Sequence, residues 1–279
     1  MFIILGVVIL AIILALAFAV YYSSEKQTVY TDLKDKHVVV TGGSSGIGKA
    51  AAEEAARLGA HVTIIGRDVS KLSSALDEII KYRLNKDQKI QFASLDLTTD
   101  YNSIAKCLSD LEATVAPIFM LVNCAGMCIC GIYGYSAYSG GKWAVRGLAE
   151  SLFMELIGTG VRLTLAFPPD TDTPGLKNED LTKPKETKLI SSGGGLQSPE
   201  SVAKTMIHDA MTGRKYSVFG LSGMMMSLLN CGSIDSLSQV LVQISCMGLL
   251  RTIMVGVLIS FHKIVWDNLK EKKESIKNK

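Results

Sequence analysis

The sequence predicts an α/β fold built on a doubly wound parallel sheet, and three observations carry that prediction. Short β-branched runs alternate with stretches of helical spacing, the pattern of parallel strands joined by crossover helices. The first run, residues 37–41 (His-Val-Val-Val-Thr), ends in a glycine cluster, as a buried parallel strand feeding a tight turn should. Strongly apolar segments stand at the two ends of the chain, outside the alternating region.

The elements follow in order. Residues 48–58 are alanine-rich at helical spacing and are punctuated by Gly59. A second strand is expected at 61–65, a helix at 71–82, a third strand at 91–95 and a helix at 101–113. Residues 118–122 read as a fourth strand, 142–157 as an amphipathic helix, and 161–167 as another strand. The stretch 170–198, rich in Thr, Lys, Pro and Gly, reads as a long loop of the kind that closes over a ligand. A helix over 199–211 follows, with Ser198 as its N-cap.

Residues 1–22 are apolar and long enough to span a bilayer, with Tyr21 and Tyr22 as interfacial anchors. A cleaved signal peptide fits less well, because a basic n-region is lacking and the apolar run exceeds the usual roughly 7–15 residues. Residues 23–36 are polar and read as a linker, leaving 37–215 as the folded domain. Residues 216–279 are again apolar until a basic tail from Lys270, and 237–261 could span or dip into a membrane. A monotopic or hairpin segment with both ends cytosolic is expected; a buried helix pair is the competing reading.

Net charge is only +3 and the basic residues are scattered, which argues against nucleic-acid binding. The six cysteines and four histidines show no zinc-type spacing, so no metal site is expected and the thiols read as reduced.

The motif Thr41-Gly42-Gly43-Ser44-Ser45-Gly46-Ile47-Gly48 lies between a strand and a helix, the context a dinucleotide loop requires. Gly42 permits the tight turn, Gly46 lets the backbone reach a pyrophosphate, and Gly48 allows close packing of helix on sheet. The helix N-terminus offers amides to the phosphates. At the end of the second strand, where an acidic residue would select an unphosphorylated ribose, stands Arg67, with Lys71 a turn later. With Ser44 and Ser45 these cations favour NADPH over NADH. The same loop matches a nucleophile elbow, Gly42-x-Ser44-x-Gly46, and so leaves a hydrolase as an alternative needing a later histidine.

Tyr138 and Lys142 are four residues apart and share one helix face. A tyrosine is a poor proton donor until a nearby ammonium lowers its pKa from about 10. With Asn123-Cys124-Ala125-Gly126 upstream, these motifs resemble the short-chain dehydrogenase/reductase family. The resemblance implies that Tyr138 protonates a ketone oxygen as hydride arrives from NADPH, while Lys142 holds the nicotinamide ribose. It implies a cofactor contact from Asn123, adenine contact by Asp96, and a loop over the nicotinamide at residues 168–175 that carries Thr171 and Thr173. The terminal apolar segments and Pro168-Pro169-Asp170-Thr171-Asp172-Thr173-Pro174-Gly175 are most similar to the membrane-bound branch acting on a long-chain keto-lipid. That branch implies NADPH-dependent reduction of 3-ketosphinganine to sphinganine, in sphingolipid biosynthesis at the cytosolic face of the endoplasmic reticulum membrane.

Eleven residues separate Gly126 from Tyr138, where the family places a helix, a strand and a catalytic serine. A strand–crossover–strand unit takes about 30 residues or more. One helix-plus-strand unit is therefore expected to be missing, with a strand gap or new pairing in its place and a compromised homodimer interface. Ser136 and Ser139 belong to the tyrosine segment and cannot be assigned the serine's role. Two readings follow: a reductase with impaired activity, or an inactive anchored NADPH-binding relative.

Overall fold

The computed structural model describes residues 29–124, 133–191, 195–220 and 237–277, with positions 14, 223, 224 and 227 besides. Its hub is β1 (His37–Thr41), buried at all five residues. It pairs in parallel with β2 (His61–Gly66) on one side and β4 (Ile118–Asn123) on the other. β3 (Ile90–Ser94) adds beyond β2, giving the order β3-β2-β1-β4. Alternate residues of β1 serve opposite faces, as the period-2 pleat requires. Val38 and Val40 join one core cluster with Val62 and Ile64; Val39 joins a second with Ile65 and Leu111.

Helices cover both faces. On the first lie α1 (Gly46–Arg57), α2 (Val69–Ile79) and α7 (Pro199–Met211). Ala50, Ala51, Ala52, Ala55 and Ala56 are all buried, and their small side chains let α1 pack closely between sheet and α7. α3 (Tyr101–Thr114) covers the second face through Leu111. Asp68 and Asp100 cap α2 and α3 by accepting backbone N–H bonds from Lys71 and Ser103. Ser198 caps α7 in the same way, as the sequence predicts.

The sheet is interrupted after β4. β5 (Leu165–Phe167) and β6 (Tyr216–Val218) pair in parallel with each other in a separate two-stranded sheet. Among the described residues no strand occupies the outer edge of β4, where Leu121 is 47% exposed. The expected strand over 161–167 shrinks to three residues, and Val161 is exposed, because β5 has a single partner to hold it.

Two further expectations need correction. The stretch read as a loop over 170–198 contains α5 (Pro174–Thr182) and α6 (Lys185–Ser191). Thr173 caps α5 by accepting from the Leu176 amide at 3.1 Å, and Pro174 fills the first turn, where its missing N–H costs nothing. The polar stretch read as a linker is docked from Tyr30 onward. The Tyr30 amide donates to Met211 O, the Leu33 amide donates to Leu58 O, and Leu33 is completely buried.

α4 (Ser136–Glu155) packs on the smaller sheet through Ala149 and Phe153. At the carboxyl end α8 (Leu237–Lys277) runs as one continuous helix of 41 residues, passing through Gly248 and Gly256, so no hairpin turn falls within 237–277. Its portion Met247–Ser275 contains an 18-residue stretch of mean hydropathy 1.6, long and apolar enough to cross a membrane. None of its most apolar stretch is buried, which goes against burial of this helix; the other half of the expected pair falls largely outside the described residues. The apolar run over residues 1–22, Leu14 apart, lies outside the described residues.

Leu33→Ala should destabilise the domain by about 2–5 kcal/mol, the usual cost of emptying a buried leucine site. Urea unfolding of the solubilised protein measures it; an unchanged midpoint would mean that the segment before β1 is not part of the core.

Candidate active site

The carboxyl ends of the parallel strands converge on the glycine loop, where ligands bind in doubly wound sheets. Gly42 and Gly46 hold φ of +67° and +55°, a left-handed backbone that favours glycine. A Cβ on Gly48 would strike the Gly42 carbonyl oxygen and crowd Cys124 Sγ at 3.2 Å, so this residue lets α1 start against the loop and β4. Gly43, given no role above, is also constrained: a Cβ there would lie 2.6 Å from Ile64 Cγ2. Ser45 occupies the N-cap of α1 yet makes no side-chain capping bond, and the first turn carries no acidic residue. The opening of α1 is thus a cradle of backbone amides suited to a pyrophosphate. Thr41 Oγ1 donates to Asn123 Oδ1 at 3.1 Å, tying the ends of β1 and β4 together beside it.

Arg67 and Asp96 face each other across the ends of β2 and β3, Nη1 to Oδ2 at 3.9 Å. Asp96 also accepts from the Thr98 amide and hydroxyl, which hold its carboxyl below the usual carboxylate range. The Arg67 side chain is 77% exposed, which leaves it room to meet an anion. Lys71 stands 3.7 Å from Asp68, an acid not weighed in the sequence reading. Burial pushes the Cys124 thiol up to about 11, so it remains a protonated packing residue.

The loop after β5 reaches this cradle. A Cβ on Gly46 would come within 3.0 Å of Thr173 Cγ2, so Thr173 lies against the glycine loop while capping α5. Thr171 is buried, its hydroxyl bonded to Pro169 O at 2.8 Å. From α5, Glu179 accepts a hydrogen bond from the Tyr135 hydroxyl. Glycine loop, Thr173, α5 and tyrosine segment therefore form one chain of contacts.

On α4 the Lys142 ammonium lies 5.0 Å from the centre of the Tyr138 ring, and Tyr138 is 43% exposed. The Tyr135 ring is 5.3 Å away. Burial, reinforced by the Glu179 carboxylate, drives its pKa well above that of a free phenol. The sequence reading missed this acidic and basic knot altogether. Lys183, nearly inaccessible, bridges Glu179 at 3.3 Å and Asp180 at 3.1 Å, and burial raises the nearby Asp170 carboxyl. The i,i+4 pair Glu179/Lys183 was the available signal, hidden because the segment read as a loop.

Ser139 projects about 100° round the helix from Tyr138. It is buried and its hydroxyl has no hydrogen-bond partner among the described residues. Ser136 begins the helix. For His61 the hydrolase alternative fails on geometry. His61 stands at the start of β2, opposite His37 at the start of β1, whereas Ser44 follows the far end of β1. The His61 ring instead accepts from the Lys89 amide at 2.9 Å.

The short chain dehydrogenase family model matches residues 36–134. The chain is 38% identical to a Danio rerio protein named 3-dehydrosphinganine reductase, over 84% of this chain and 86% of that one. It is 30% identical to a Dictyostelium discoideum 3-ketodihydrosphingosine reductase, over 77% and 84%. The first of these alignments runs over 286 positions, more than the 279 residues present, so it includes positions of the relative that face no residue here. In fold the chain is similar to an L-sorbose reductase from Gluconobacter frateurii, solved with NADPH and L-sorbose. The TM-score is 0.55 at 18% identity, covering 66% of this chain and 92% of that one. An actinorhodin polyketide ketoreductase solved with NADPH gives 0.53 at 18%, covering 62% and 89%.

Gly48→Ala should abolish dinucleotide binding, because its methyl group displaces either the Gly42 carbonyl or the start of α1. Quenching of intrinsic fluorescence on titration with NADPH measures this; wild-type affinity in the variant would remove the loop from the site.

Proposed function

We propose a substrate and a cofactor for a chain that belongs to the short chain dehydrogenase family: NADPH-dependent reduction of 3-ketosphinganine to sphinganine. The observation that carries the chemistry is the Lys142 ammonium facing the Tyr138 ring on α4, beside a second tyrosine locked in its protonated form. Bound NADPH supplies a hydride to the carbonyl carbon. Tyr138 gives its proton to the carbonyl oxygen, and the Lys142 charge stabilises the phenolate that remains. Gly42, Gly46 and Gly48 shape the amide cradle for the pyrophosphate, with Ser44 and Ser45 in the same loop. Arg67, helped by Lys71, receives the ribose 2′-phosphate. Asp96 and Asn123 border the adenine and nicotinamide ends, and Thr171 and Thr173 close the loop over the cofactor.

The substrate assignment is supported by the names of the relatives, and by α8, which suits a protein working on a lipid at a membrane. The endoplasmic reticulum, with the domain in the cytosol, is the setting we propose. The interrupted sheet and the 286-position alignment support a missing helix-plus-strand unit between Gly126 and Tyr138. With it goes the serine that the family aims at the carbonyl, and losing one such donor lowers turnover by about 10²–10³. The same interruption favours a second reading, an inactive relative that still binds NADPH.

Purified protein in detergent, given 3-ketosphinganine and NADPH, should oxidise the cofactor slowly, and Tyr138→Phe should reduce the rate to background without weakening NADPH binding. Equal rates in both proteins would remove Tyr138 from the chemistry; no turnover with intact binding selects the second reading. Arg67→Asp should weaken NADPH binding by about 10–100-fold and leave NADH unaffected, as expected for one charge-assisted bond of roughly 1.5–3 kcal/mol. An unchanged NADPH/NADH ratio would assign the phosphate to other residues.

A further inference from the structure

A groove of about 440 Å³ lies between α6 and α8, lined by Tyr133, Ile190, Leu258, Phe261, Val265 and Trp266 among others. Its volume falls in the range of small-ligand sites, and its walls are mostly apolar, with His262 the one imidazole among them. Its position on α8 is informative. Leu258 and Phe261 close the apolar part of the helix, while Lys263, Asp267, Lys270 and Glu271 begin the charged part. The groove therefore straddles the level at which α8 would leave a bilayer. Trp266, 71% exposed, and Tyr133, 40% exposed, sit at that level, where amphipathic rings prefer to lie.

Both walls are fixed. Thr187 on α6 donates to the Tyr133 carbonyl at 2.6 Å, which binds this wall to the segment leading, five residues later, to Tyr138. The completely buried Glu186 accepts from Lys272 at 2.7 Å, and Lys185 pairs with Glu271 at 3.2 Å, so α6 and α8 are joined beyond the apolar lining. One end thus opens toward the bilayer-length stretch, one wall leads to the tyrosines, and an ionic clasp holds the far side.

We propose that this groove receives the hydrocarbon chain of the keto-lipid substrate, drawn sideways from the membrane so that the carbonyl end is carried toward Tyr138. The proposal rests on the substrate reading above and adds the site of the chain. It makes binding depend on chain length, because a chain too short to fill the groove forgoes packing contacts with its walls.

The test uses the full chain in phospholipid nanodiscs. The sequence has two tryptophans, so Trp143→Phe leaves Trp266 as a reporter on the groove wall. 3-Ketosphinganine brominated along its chain, at low mole fraction, should quench Trp266 saturably. A phospholipid brominated on its acyl chain, at the same mole fraction, should not. Val265→Phe, which fills the groove, should abolish the quenching and raise KM for the C18 ketone tenfold or more, leaving a six-carbon analogue unchanged. Equal quenching by the phospholipid would mean that the groove holds bulk membrane chains, and absence of quenching by the substrate would overturn the proposal outright. An equal KM change for both ketones would do the same. If the wild type turns over neither ketone, the reduction reading fails by itself, and the quenching comparison still decides the fate of the groove.

Discussion

The pairing of β1 on both edges is the constraint from which the rest of the molecule is built. A strand buried at every residue has no water to satisfy its backbone, so its amides and carbonyls must be bonded to β2 and β4. That double pairing aligns three carboxyl ends at one level. The turn out of β1 then has to reverse within a few residues under α1, which is why Gly42, Gly43 and Gly48 each lack room for a methyl group or need a left-handed backbone. His37 serves the same strand from its other end. Its ring lies between Ala116 O and Thr63 Oγ1, both at 2.9 Å, and burial keeps it neutral, a packed core histidine with no part in the chemistry.

Beyond β4 that order ends. In an uninterrupted doubly wound sheet β4 would be an interior strand; here its outer edge lacks a strand partner among the described residues, and β5 and β6 hold only each other. The site survives because it is bridged by other means. Thr173 lies on the glycine loop, α5 carries Glu179 to Tyr135, and α6 holds Tyr133 through Thr187. Side-chain bonds from two short helices do work that a ladder of backbone bonds performs elsewhere. Such bonds are individually weaker and positionally looser, so the tyrosine helix is the less firmly held half of the site.

Much of this was legible in the sequence. The four strands of the main sheet, the capped helix at 199–211, the glycine loop and the Tyr138/Lys142 pair follow from periodicity, cap residues and spacing, because local chemistry alone determines them. That the eleven residues after Gly126 cannot hold a crossover and a strand agrees with the open edge of β4 among the described residues, while 125–132 lie outside them. The segment 170–198 was misread because its prolines and glycines look like loop, although Thr173-Pro174 is a helix start and Glu179/Lys183 a helical pair. The buried Leu33 and the short β6 were hidden for another reason. Their placement depends on residues far away, Leu58 and Met211 for the first and Leu165–Phe167 for the second, and no local pattern encodes such partners.

On the proposed reading, the length and hydropathy of α8 change what concentration means for this protein. A catalyst carried by a bilayer-length helix meets a lipid in two dimensions, and its occupancy follows the mole fraction of that lipid in the surface, not its molarity in the tube. Adding inert phospholipid or detergent at constant substrate then dilutes the substrate as surely as adding water dilutes a soluble metabolite. Rates obtained in micelles and in vesicles become comparable only when expressed per area of interface.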